Sequence, residues 1–185
     1  MTRLWLVRHG RATAGWDVDP DPDLDDEGRE QAFRVAHRLA TEARGAAVFT
    51  SPLTRCRTTA DTISQYVHAT PVVCDEISEI PSPPGVALAS RMQWLHDAMS
   101  GTWSDLGEPY VTYRNGLVRY MRDCKVDAVM VSHFIAINAV LGTLAGDDRL
   151  VVRHLDNCSV TLLERDSDGA LRVVEGGSEA ETLIR

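Results

Sequence analysis

Leu4-Trp5-Leu6-Val7-Arg8-His9-Gly10 is the stretch on which the reading of this chain turns. Four apolar residues in a row, bounded by polar ones, describe a short strand buried on both faces. The run ends in an arginine and a histidine. In open α/β sheets the carboxyl ends of the strands are where ligands bind. Alone, such an ending is an ordinary polar strand terminus; it gains meaning because two later apolar runs end in a similar way.

Outward from that strand, a loop rich in Asp, Pro and Gly spans 10–26, and the spacing of Ala32, Phe33, Ala36, Leu39 and Ala40 predicts a helix over 27–43, stopped near Gly45. A second strand at 46–49 leads to Ser51 and Pro52, which read as the N-cap and first residue of a helix reaching about residue 67, with Arg55 and Arg57 in its first two turns. A third strand is expected at 71–74. Pro81-Ser82-Pro83-Pro84-Gly85 cannot be regular structure and opens a small helical insertion of about 81–125, with helices near 86–100 and 109–124. A further strand at 127–132 ends directly at His133, followed by a helix over 135–145, β segments at 150–155 and 159–165, and a turn at 166–169 into a last strand. Strands alternating with helices predict one α/β domain over 1–185, a three-layer α/β/α sandwich with a mixed, mostly parallel sheet.

Composition narrows the function classes. The 185 residues are 44% hydrophobic and 25% charged, ordinary for a globular protein. A formal charge of −8 argues against a nucleic-acid binder or a protein that lies on anionic membranes. It is compatible with a small anionic substrate, because a few arginines can invert the field inside a pocket. No apolar run approaches the length of a membrane span, and the N-terminus reads as neither signal nor anchor. Cys56, Cys74, Cys124 and Cys158 lack metal-ligand spacing and read as free thiols, which suggests a reducing, cytoplasmic setting. A homo-oligomer is compatible with the sequence.

Three strands therefore end in Arg8-His9, in Ser51 leading to Arg55, and in His133. If they are neighbours, two arginines and two histidines meet on one rim. Guanidinium forks match phosphate oxygens and stay charged at every working pH. A histidine among arginines has its pKa pushed down, so it is neutral and nucleophilic, as covalent phosphoryl transfer requires.

Leu6-Val7-Arg8-His9-Gly10, Thr50-Ser51-Pro52-Leu53-Thr54-Arg55-Cys56-Arg57-Thr58-Thr59-Ala60 and Val131-Ser132-His133 together resemble the histidine phosphatase superfamily, in its phosphoglycerate-mutase-like branch. Leu24 through Gly28 with Gln31-Ala32, and Asn157-Cys158-Ser159-Val160-Thr161, add to the likeness; 81–125 matches least. The resemblance implies a metal-independent phosphatase without cofactor, acting on a small phosphorylated substrate. His9 would be the nucleophile, with Arg8, Arg55 and His133 holding the phosphate. Glu79, in Ile77-Ser78-Glu79-Ile80, would be the general acid, with Asp75 and Glu76 as competitors.

This sequence also departs from the family pattern. Ala12 and Gly15 stand where a hydroxyl residue and an asparagine are common, Phe134 follows His133 in place of glycine, and 81–85 replaces the usual continuation after the acid. These changes favour hydrolysis over isomerisation. Arg11, Trp16 and Phe134 are candidate pocket residues, and Trp94 and Trp103 either share an aromatic wall with Trp16 or pack the insertion onto the sheet. Cys56, beside Arg55, is expected to have a lowered pKa if that charge dominates. Phosphoglycerate-mutase-type transfer, a protein phosphohistidine phosphatase and an inactive phosphate- or partner-binding protein are the alternatives.

Overall fold

A computed structural model describes residues 1–180. The strand β1 (Thr2–Arg8) sends Leu4 and Leu6 to one face of the sheet and Trp5 and Val7 to the other, as the two-residue period of a strand requires. All four are buried, so both faces must be covered. On the Trp5–Val7 face lie α1 (Asp26–Glu42) and α2 (Thr54–Val67), whose Val35, Ala36, Leu39, Ala60 and Ile63 share one core with sheet residues Val48, Val129 and Val131. The opposite face packs against α5 (Tyr110–Asp123) and α6 (Phe134–Ala145) through Leu117, Met121, Ile135 and Ala139. Every α6 residue from Phe134 to Gly142 is buried, which is why this helix is apolar almost all round. Among the described residues no helix is long and apolar enough to cross a membrane.

The sheet adds β2 (Ala47–Thr50), β3 (Pro71–Val73), β4 (Ala128–Ser132), β5 (Val160–Arg165) and β6 (Leu171–Glu175), in the order β3-β2-β4-β1-β5-β6. The first four in that order run parallel, β5 is antiparallel to β1, and β6 is antiparallel to β5. This is the mixed, mostly parallel three-layer architecture expected from the sequence. The register aligns Arg8 with Ser132 and Thr50 with Val131. Adjacent strands β1, β4 and β2 therefore end almost level, and His9, His133 and Ser51 emerge together on one rim.

Several local expectations are corrected. α2 begins at Thr54 with Leu53 at its N-cap position, not at Pro52 behind a Ser51 cap. Ser51 Oγ is 3.4 Å from the Leu53 N–H but 2.8 Å from the His133 ring, so the ring has claimed it. The 150–155 segment is not a strand. Asn138, buried in α6, accepts the N–H groups of Val152 and Arg153 at 2.9 and 2.8 Å, and satisfies backbone that a ladder would otherwise pair. Phe33 is 45% exposed rather than part of the α1 core face, and meets His37 and Tyr66 edge-on at the surface. The helix expected over 86–100 is shorter, a 3-10 turn at Leu88–Ser90 leading into α3 (Arg91–Met99), after which α4 (Trp103–Leu106) intervenes before α5.

Candidate active site

His9 leaves β1 with its N–H bonded to the Ser132 carbonyl at 3.0 Å and its own carbonyl held by Asn157 Nδ2 at 3.1 Å. The next residue must be small. A Cβ on Gly10 would stand 2.5 Å from the Gly28 carbonyl oxygen, so glycine here lets the loop lie directly against α1. His9 Nδ1 is 2.8 Å from the Gly10 carbonyl oxygen. A carbonyl only accepts, so Nδ1 carries the ring hydrogen and Nε2 presents its lone pair. That lone pair receives Arg55 Nε–H at 3.1 Å.

Arg8 and Arg55 are only 2% and 4% exposed, yet each is incompletely paired. Arg8 Nη1 donates to the Leu155 carbonyl at 2.6 Å and the guanidinium lies over the Phe134 ring at 5.1 Å, while Arg8 Nε has no partner among the described residues. Arg55, in the first turn of α2, reaches His133 Nδ1 through Nη2 at 3.3 Å, and its Nη1 has no partner among the described residues. Each unpaired buried donor costs about 1–3 kcal/mol. Both arginines line one cleft, and their unused donor capacity suits an acceptor-rich anion there. Burial pulls Arg8 down to about 10 against the opposing pull of Glu79 and Asp156, which keeps it charged at neutral pH. His9 and His133 are held well below their ordinary range, first by burial and then by Arg55, so both rings are neutral.

Glu79 follows a 3-10 turn at Asp75–Ile77. Two hydroxyls pin the approach: Ser132 Oγ donates to the Ile77 carbonyl at 2.7 Å, and Tyr113 OH donates to the Ser78 carbonyl at 2.8 Å. Burial raises the Glu79 carboxyl above its ordinary range, although the Ile80 N–H and the charges of Arg55 and Arg8 all pull it down. Burial in the protein is enough to produce that direction. The competing carboxylates are elsewhere. Asp75 and Glu76 line a separate surface cavity of about 650 Å³ along α5, and the Cys74 thiol donates to Glu76 at 3.1 Å.

Arg8, His9, Arg55 and Glu79 share a narrow cleft with Trp16, Met92, Leu95 and Phe134, with His133 set behind Arg55. Of the candidate pocket residues, Trp16 and Phe134 line it. Arg11 does not; it turns to Asp25, the N-cap of α1, at 2.6 Å. Trp94 packs on Tyr110 and Trp103 is fully buried against Tyr113, so neither forms a wall with Trp16. The Cys56 thiol is pushed up, not down, because burial outweighs Arg55. Sequence reading missed Met92, Leu95 and Tyr113 within 81–125, where nothing but apolar spacing marks them. It also missed the side-chain tasks of Ser51 and Asn157, although both lie in the motif blocks.

Among known families, the histidine phosphatase superfamily (branch 1) matches residues 4–175. A metal-independent phosphoserine phosphatase of Arabidopsis thaliana is 36% identical over 87 residues, 44% of this chain; the match spans only 34% of that plant protein's length. The uncharacterized phosphatase PhoE of Bacillus subtilis is 28% identical over 157 residues, 80% of each chain. Among solved structures, Bacillus stearothermophilus YhfR aligns with a TM-score of 0.75 at 21% identity, covering 94% of this chain and 96% of its own. A phosphoserine phosphatase of Entamoeba histolytica in complex with 3-phosphoglyceric acid aligns at 0.74 and 20% identity, covering 98% of both chains. These structural likenesses show the fold.

Proposed function

This chain belongs to the histidine phosphatase superfamily, and we propose that it hydrolyses a small phosphomonoester through a phosphohistidine formed on His9. In the first step the His9 Nε2 lone pair attacks phosphorus in line with the ester oxygen. The P–O bond breaks, and protonated Glu79 gives its proton to the leaving alkoxide. Arg8, Arg55 and His133 hold the three remaining oxygens, whose charge builds in the transition state. In the second step the Glu79 carboxylate takes a proton from water, the water oxygen bonds to phosphorus, and the P–N bond breaks to release phosphate and regenerate His9. No step calls on a metal ion.

The observation that carries this reading is the His9 Nδ1–Gly10 hydrogen bond, which leaves Nε2 unprotonated beside a buried guanidinium. The named activities of the sequence relatives support phosphate-ester hydrolysis, and the phosphoserine and 3-phosphoglycerate in the names of related proteins support a small phosphorylated substrate. Beyond the clamp and Glu79 the lining is Trp16, Met92, Leu95 and Phe134. An isomerase must rebind a phosphorylated intermediate through many polar contacts, and that apolar wall favours release instead.

Phosphate release from a panel of phosphorylated metabolites, phosphoserine and 3-phosphoglycerate included, should proceed with EDTA present and yield an acid-labile phosphoenzyme on rapid quenching. His9→Ala should lower kcat by about 10³-fold or more and abolish the phosphoenzyme. Activity that requires added metal, or that survives His9→Ala, would overturn the mechanism.

A further inference from the structure

Two contacts of the His133 ring together say where its hydrogen is. Nδ1 lies 3.3 Å from Arg55 Nη2, and a guanidinium can only donate. Nδ1 is therefore the bare nitrogen, and the hydrogen sits on Nε2, 2.8 Å from Ser51 Oγ. A neutral ring has a single N–H to place. Placed on Nε2 it suits a site in which Arg55 faces the histidine. It does not suit a site holding phosphate, because a phosphoryl oxygen accepts and needs an N–H from the edge that faces the clamp. That edge is Nδ1, which faces Arg55, since Ser51 occupies Nε2; Cys56 Sγ flanks the ring, 3.4 Å from Nε2 and 3.9 Å from Nδ1.

The group at the closed edge therefore has to accept from Nε2 in one state and donate to it in the other. A hydroxyl does both. Ser51 is fully buried and its N–H is fixed on the Val131 carbonyl at 3.0 Å, so its position is set. Among the described residues its Oγ is otherwise approached by the Leu53 N–H at 3.4 Å and by the Cys56 thiol, and neither fixes the hydroxyl hydrogen, so the hydroxyl can turn. The Cys56 thiol cannot substitute, because its S–H already points to the Ser132 carbonyl at 3.5 Å.

We propose that Ser51 is a positioning residue that lets His133 exchange tautomers, accepting Nε2–H while Arg55 faces Nδ1 and donating to Nε2 once Nδ1–H bonds the phosphoryl group. Protons balance: one leaves Nε2 and one arrives at Nδ1 by exchange with water, and the ring stays neutral. The inference rests on the phosphatase reading above.

The test uses the full chain labelled with ¹⁵N-histidine, its His133 signals identified by their loss in His133→Asn. Long-range ¹H–¹⁵N spectra should show Nε2–H without added anion and Nδ1–H with saturating inorganic phosphate. Ser51→Ala should lower kcat/KM and phosphate affinity by about tenfold each, or about 1.4 kcal/mol. Ser51→Thr, which restores the hydroxyl, should stay within about threefold of wild type. Persistence of Nε2–H, or a fully protonated ring, in the phosphate-bound wild type would overturn the proposal. So would Ser51→Ala kinetics equal to wild type. Should Ser51→Ala not fold, the wild-type spectra still decide. Failure here with His9→Ala inactive removes only the role of Ser51, whereas an active His9→Ala removes the phosphatase reading itself.

Discussion

Glu79 is where two opposing effects meet on one side chain. Arg8 and Arg55 favour its ionised form, burial favours the protonated one, and burial wins. A carboxyl kept protonated at higher pH is what a general acid needs, and the sign of its pH dependence follows. As pH rises through the Glu79 pKa the donor is lost and kcat/KM for an alkyl phosphate falls. Glu79→Gln should remove that alkaline limb and cost about 10²–10³-fold with alkyl phosphates. It should cost far less with p-nitrophenyl phosphate, whose leaving group departs without a proton. Equal losses on both substrates, measured as kcat/KM across pH, would remove Glu79 from the role of acid. The sequence marks Glu79 only through its family-like setting. Its burial is not legible there, because the cleft around it is completed by Met92 and Leu95 of α3 and the loop before it is held by Tyr113 of α5. All three lie in the stretch with the weakest pattern. His9, Arg55 and His133 were more legible, since each sits at a strand end or first helical turn that apolar runs alone locate.

At the scale of elements, the loop carrying the nucleophile is held against α1 by two glycines. A Cβ on Gly28 would fall 2.1 Å from the Arg11 carbonyl oxygen, and one on Gly10 2.5 Å from the Gly28 carbonyl oxygen, with backbone on both sides. Neither contact can be relieved by turning a side chain. Gly28→Ala should therefore push α1 off the loop and destabilise the protein by about 1–3 kcal/mol, the usual cost of overpacking. It should also lower kcat/KM, because the displaced loop bears His9 and Gly10. Gly116 in α5 is the matched comparison: it is helical too, and a Cβ there meets nothing within 4 Å. Gly116→Ala should stabilise by about 0.5–1 kcal/mol through helix propensity and leave catalysis unchanged. Urea denaturation and steady-state kinetics on both variants check the pair. Sequence reading placed Gly28 in a helix but could not see this contact, which joins residues far apart in the chain. The 150–155 segment failed for a related reason. Its apolar residues look like a strand, but Asn138 of α6 supplies the acceptor that a neighbouring strand would have supplied.

For the whole molecule, the clamp makes stability depend on pH in a direction that can be worked out. His9 and His133 have folded pKa values far below their ordinary 6.5, so between those limits the unfolded chain binds a proton at each site that the folded one refuses. Stability from this pair is complete above about pH 6.5 and is lost as pH falls below it, at about 1.4 kcal/mol per pH unit for each ring. Glu79 works in the opposite sense. Its folded pKa lies above the ordinary 4.5, so its contribution is complete below that value and is lost as pH rises through the folded pKa. From about pH 5 to 6.5 two rings oppose one carboxyl. The net slope should therefore be positive, steepest near pH 5 at up to about 2.6 kcal/mol per unit, and shallower towards pH 6.5, where the unfolded rings are only about half protonated. The other carboxylates with resolved shifts, such as Asp147 held near 2 by Arg149, act below this window. Unfolding free energies from urea titrations at about pH 5.0, 5.5, 6.0 and 6.5 should rise along that slope in the wild type. In His9→Gln/His133→Gln the two positive contributions vanish and only Glu79 remains, so stability should be level or fall as pH rises. A wild type whose stability is flat across the window, or a double variant with the same slope, would show that the two rings are not held neutral by the fold.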